Sequence, residues 1–118
     1  GPLEIPETVT IINEWAFFGN SFSGTLVLPA NLTVLGDNAF ASCGRLTGIL
    51  EIPNDISAIP QGAFADCRTL EGVVIPSSVD YINAYAFRNC FQLNSIVCHN
   101  VLPPDLDASA FDGVASSI

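Results

Sequence analysis

The chain has 118 residues, 49% of them hydrophobic and only 13% charged, with twelve acidic residues, three arginines, no lysine and a net charge of −9. That composition can bury a core and excludes a disordered chain. So acidic a chain lacks the basic face that nucleic acid or an anionic membrane requires, and no apolar run approaches the ~18 residues of a membrane span.

Gly1-Pro2 looks like the remnant of a protease site on an excised fragment and is set aside. From Leu3 onward the chain repeats. Ala-Phe recurs at Ala16-Phe17, Ala39-Phe40, Ala63-Phe64, Ala86-Phe87 and Ala110-Phe111, at spacings of 23, 24, 23 and 24 residues. A period of that length predicts a solenoid. Aligned on Ala-Phe, the turns run over about 3–24, 25–48, 49–71, 72–94 and 95–118 of a single domain, 3–118.

Each turn opens on two apolar residues spaced two apart: Leu3/Ile5, Leu26/Leu28, Leu50/Ile52, Val73/Ile75 and Ile96/Cys98. That is the period of a strand with one buried face. Pro6, Pro29, Pro53 and Pro76 then end each strand, because proline donates no ladder hydrogen bond; His99 takes the place in the fifth turn. Val9, Leu32, Ile56, Val79 and Leu102 follow as inward residues, then Ile12, Leu35, Ile59, Ile82 and Leu106. The next column, Asn13, Gly36, Pro60, Asn83 and Asp107, predicts a left-handed corner, with turn three bending differently at Pro60.

Ala-Phe then predicts a short helical or 3₁₀ segment, with Phe filling the middle of each coil. Asn20, Cys43, Cys67, Cys90 and Val114 come three residues later, and Phe22, Leu46, Leu70 and Leu93 close the turns. The links Phe22–Leu26 and Leu46–Leu50 are one residue longer than the later ones. Val101-Leu102-Pro103-Pro104 makes turn five the most irregular, as in a terminal turn, while the N-terminal end carries no polar cap. End-to-end self-association is therefore open to the chain.

The motif Leu-x-Ile-Pro, then Val/Leu-x-x-Ile-Gly/Asn, then Ala-Phe-x-x-Cys-x-x-Leu resembles the BspA-type leucine-rich repeat, best over Leu26–Leu46, Leu50–Leu70 and Val73–Leu93. The resemblance implies a right-handed leucine-rich-repeat superhelix of five turns. It also implies secreted or cell-surface proteins of bacteria and some protozoa that adhere to host or microbial proteins. Asn20, Val114, Pro60 and His99 depart from the pattern.

Cys43, Cys67 and Cys90 share one column, so buried free thiols bonding backbone carbonyls are expected. Neighbouring coils are close enough for a disulfide, though three equivalent thiols cannot all pair. No Cys-x-x-Cys supports zinc, so no metal and no cofactor are expected. Cys98 and His99 are neighbours, but adjacent strand residues point to opposite faces, Cys98 inward, so no catalytic dyad is expected. Asp105 and Asp107 suit capping of the segment before Ala110 better than a calcium contact. Asn31-Leu32-Thr33 fits a glycosylation acceptor in a eukaryotic secretory pathway.

No nucleophile elbow or phosphate loop points to an enzyme. The expected contact surface is the outward strand face, Glu4, Val27, Ile49, Glu51, Val74 and Val97, flanked by Thr25 and Ser95. A row of apolar residues there marks a protein-binding face, although β-branched residues also simply suit strands. The expected function is non-enzymatic protein binding or adhesion; a structural spacer presenting another domain is the alternative.

Overall fold

The structure, a computed structural model, describes residues 2–114; Gly1 and residues 115–118 of the expected fifth turn lie outside the described residues. Five coils stack along one axis through ten short strands. These are β1 (Ile11–Ile12), β2 (Gly24–Thr25), β3 (Val34–Leu35), β4 (Leu46–Thr47), β5 (Ile49–Glu51), β6 (Ala58–Ile59), β7 (Gly72–Ile75), β8 (Tyr81–Ile82), β9 (Ser95–Cys98) and β10 (Asp105–Leu106). Every pairing is parallel and joins one coil to the next.

The strands form two faces. One carries β5-β7-β9 and, at its N-terminal end, β2-β4; the other carries β1-β3 and β6-β8-β10. The second face was not expected: its two-residue strands occupy the Ile12, Leu35, Ile59, Ile82 and Leu106 column. In the first four of them the second residue is buried and the first lies further out, as in Val34-Leu35 and Tyr81-Ile82, whereas both residues of β10 are exposed.

The third side corrects the expected helical segments: no helix occurs among the described residues. Amide groups here serve two masters in alternation. Ala16, Phe18 and Asn20 donate three residues back, to Asn13, Trp15 and Phe17, whereas Trp15, Phe17 and Gly19 donate to Asp37, Ala39 and Ala41 of the next coil. A helix would need every amide for itself. Stacking claims half of them, so the segment becomes a chain of turns.

The left-handed corner also sits elsewhere than expected. Asn13, Gly36 and Asn83 are not left-handed; Trp15, Asn38, Gly62 and Tyr85, two residues on, have φ of 57–64°, and Ser42, Asp66 and Asn89 mark a second corner. What the earlier column requires is close approach. A Cβ on Gly36 would run into the backbone of Asn13 and Glu14 in the coil below. Gly36 and Asn83 donate their N–H to Ile12 and Ile59 of the preceding coil. Pro60 has no N–H to give, and the second strand face breaks between β3 and β6 at that point. The two longer links each spend their extra residue on a left-handed glycine, Gly24 (φ 83°) and Gly48 (φ 72°), which separates β4 from β5.

The phenyl rings of Phe17, Phe40, Phe64, Phe87 and Phe111 pile along the axis, with centroids 5.1, 5.7, 5.5 and 5.3 Å apart and planes within 15°. Around them every inward column of coils two to four is buried, from Leu26 through Leu93. At about 1.5–3 kcal/mol per fully buried side chain, this core dominates the stability, and no coil closes it alone.

The end coils differ. Leu3, Ile5, Val9 and Phe22 are only half-buried. In coil five Leu102 and Leu106, expected inside, are 79% and 49% exposed, and Pro104 is buried instead. The rigid Pro103-Pro104 pair carries the chain along a different path, and Asn100 ties that path back by donating to Val79 O (2.7 Å). Cys98, also expected inward, is exposed on the last strand of its sheet.

Candidate protein-binding surface

Parallel pairing sets which outward side chains share a row. Glu51, Val74 and Val97 lie directly opposite one another across β5, β7 and β9, as do Ile49, Gly72 and Ser95. Val27 is 65%, Ile49 54% and Val97 42% exposed; Val74 is half-buried, and Glu4 and Glu51 are exposed. The strand face thus brings Val74 and Val97 together. It sets Ile49 in a separate row beside Gly72, so the apolar surface is stepped rather than a single stripe.

Beside this row runs a groove of about 320 Å³ lined by Glu51, Val74, Pro76 and His99 among others. Cys98 is not part of its lining, in keeping with the opposite directions of adjacent strand residues.

The cysteine column behaves as expected. Cys43, Cys67 and Cys90 are free and buried, and their thiols donate to Phe17 O, Phe40 O and Phe64 O at 3.1, 3.2 and 3.2 Å. Burial raises all three thiols above the ordinary range, Cys90 to about 12, and the neighbouring thiols add to the rise at Cys67. These are inert structural groups. Asp107 caps as expected: its Oδ1 accepts Ser109 N–H (2.9 Å) and Oγ–H (2.6 Å), which lowers its carboxyl below the usual range. Asn31 is exposed at a turn, and Thr33 Oγ1 donates to Thr10 O. No cluster of three metal-binding side chains occurs among the described residues.

Sequence reading missed a second surface, on the turn side. Trp15 (53% exposed) meets Phe18 (51%) edge-on at 5.0 Å; on coil four the Arg88 guanidinium lies over the Tyr85 ring, and Phe91 is exposed. The signal was present in the alignment. The column before Ala-Phe holds Trp15, Asn38, Gly62, Tyr85 and Ser109, and large aromatics stand out where small or polar residues suffice. Trp15 and Tyr85 are left-handed there (φ 61° and 59°), a conformation costing a bulky residue roughly 1–3 kcal/mol.

A family model described as the BspA type leucine rich repeat region matches residues 2–116 in six copies, one more than the five Ala-Phe coils. No curated protein and no solved structure matches the chain.

Proposed function

The chain belongs to the BspA-type leucine-rich repeat family, and from that premise we propose that it is the binding module of a secreted or cell-surface protein. In this reading the strand face, Glu4, Val27, Ile49, Glu51, Val74 and Val97, adheres to a host extracellular or microbial surface protein without catalysis. A repeat solenoid of this family is a protein-interaction module in general terms; the adhesive role and the choice of face are the added step.

The observation that carries the reading is the exposure of Ile49 and Val97 on a sheet backed by a buried core, with Val27 exposed just past β2. Exposed apolar groups held by a rigid scaffold lose little entropy on docking. The acids beside them favour an apolar segment with basic flanks.

The test uses immobilised extracellular-matrix proteins and mucin, with the Val74→Asp/Val97→Asp double variant as probe. That variant should keep a cooperative melt and lose binding at least about tenfold. Because Val74 is half-buried, Val27→Asp serves as a second probe with less risk to the fold. Unchanged binding in both variants rules this face out.

A further inference from the structure

The turn side of coil four carries features that folding does not require. Tyr85 occupies a left-handed corner that Gly62 fills in the preceding coil, yet the residue remains 40% exposed. Strain without burial in return is the mark of a residue kept for what it contacts. The Arg88 guanidinium lies over that ring, 5.1 Å from its centroid. Phe91, three residues on, is 53% exposed. Arg68 stands in the column of Phe91 one coil earlier, and coils are spaced by 5.1–5.7 Å at their phenyl rings.

Two further facts set the chemistry. All three arginines of the chain, Arg45, Arg68 and Arg88, are exposed, and none forms an ion pair among the described residues. Asp112 follows Arg88 in its column, but the guanidinium lies over Tyr85 instead. Coil three presents only Gly62 and Ala65, both buried, in the columns of Tyr85 and Arg88. The turn side therefore steps down next to the Tyr85 ring, while Asp66 borders Arg88, donating its N–H to Arg88 O (2.6 Å) and accepting Asn89 Nδ2–H (2.9 Å). Tyrosine and arginine are enriched among residues that dominate binding energy, and arginine forks match carboxylates.

We infer that Tyr85, Arg88, Phe91 and Arg68 form a second docking surface, distinct from the strand face, for an acidic peptide segment of another protein. Its carboxylates meet Arg88 and Arg68, and one apolar or aromatic anchor rests against Tyr85 and Phe91. Charge complementarity selects this occupant: on a chain of net charge −9, Arg68 and Arg88 are two of only three arginines, and neither forms an ion pair among the described residues.

The test selects binders from a random displayed-peptide library on the wild-type protein, then measures one selected synthetic peptide against variants. Selected peptides should be enriched in Asp and Glu around one apolar residue, and binding should weaken as salt rises. Arg88→Ala and Phe91→Ser should each weaken binding at least tenfold, and Val97→Asp on the strand face should leave it unchanged. Tyr85→Gly is the decisive variant: its melting temperature should hold or rise while binding falls at least tenfold. A library yielding no binder, binders without acidic enrichment, or a Tyr85→Gly protein that binds as before would each overturn the proposal. So would a concentration-dependent dimer abolished by Arg88→Glu, which would seat a second copy of this chain on the face. Failure of the strand-face test alone leaves this surface standing, because none of Tyr85, Arg88 and Phe91 is among the strand-face probes.

Discussion

A thiol at the Cys column has one neighbour that matters, the phenylalanine carbonyl of the coil before. Cys43, Cys67 and Cys90 each donate to it from a buried position, whereas Cys98 is exposed. An aromatic disulfide reagent at pH 8 should therefore label Cys98 quickly and the other three only as the protein unfolds. Counting released chromophore with and without denaturant checks this; labelling of all four thiols at one rate would contradict it. The same burial has a pH consequence. Cys67 and Cys90 keep their protons in the folded state at pH values where the unfolded chain has lost them. The folded state then binds more protons, so stability is intact below about pH 9 and falls as pH rises toward about 12. Thermal melts should drop across that window, and Cys90→Ser should flatten the drop.

Elements are set by the spacing of coils more than by local propensity. Ala-Phe resembles a helix start, yet the segment is a run of turns because alternate amides bond the next coil. Proximity also explains the glycine column. Gly36→Ala would drive a methyl group into the Glu14 backbone, whereas a Cβ on Gly44 meets nothing nearer than Asp66 O at 3.9 Å. Gly36→Ala should destabilise by about 3 kcal/mol or more, as overpacking of rigid backbone does, and Gly44→Ala should change stability by less than about 1 kcal/mol. Chemical denaturation of both variants tests the pair. Similar midpoints would mean that the Gly36 column is not a contact column.

Across the whole molecule the stack is continuous on the turn side and interrupted on the strand sides. β3 does not pair with β6, where Pro60 lacks a donor, and Gly48 parts β4 from β5. Coils one and two are thus joined to the rest mainly by the phenyl stack and the turn-side bonds. In a solenoid, stability is close to a sum of coil and interface terms, so a weak interface allows partial opening. Native-state hydrogen exchange should find Leu35 and Phe40 amides exchanging through an opening of lower free energy than Ile82 and Phe87. Equal protection throughout would indicate one cooperative unit despite the broken ladders.

The repeat, its period, the buried columns of coils two to four, the phenyl stack and the thiol ladder were all legible from residue spacing. A periodic side chain in a stack meets its own counterpart, so a sequence column becomes a spatial column directly. The strand-face residues were legible for the same reason, as the alternating partners of Leu50/Ile52 and Val73/Ile75. Three things were not. The second set of strands and the absence of helix depend on which amides the adjacent coil captures, a contact between residues 22 to 25 positions apart that no local window contains. The left-handed corners at Trp15 and Tyr85 run against propensity and exist because neighbouring coils hold the backbone there. The path of coil five was decided by Pro104 taking the buried place that Leu102 and Leu106 vacate. Hydrophobic periodicity therefore specifies depth in the stack, while backbone hydrogen bonding between coils, visible only once they are stacked, decides conformation and which aromatics face water.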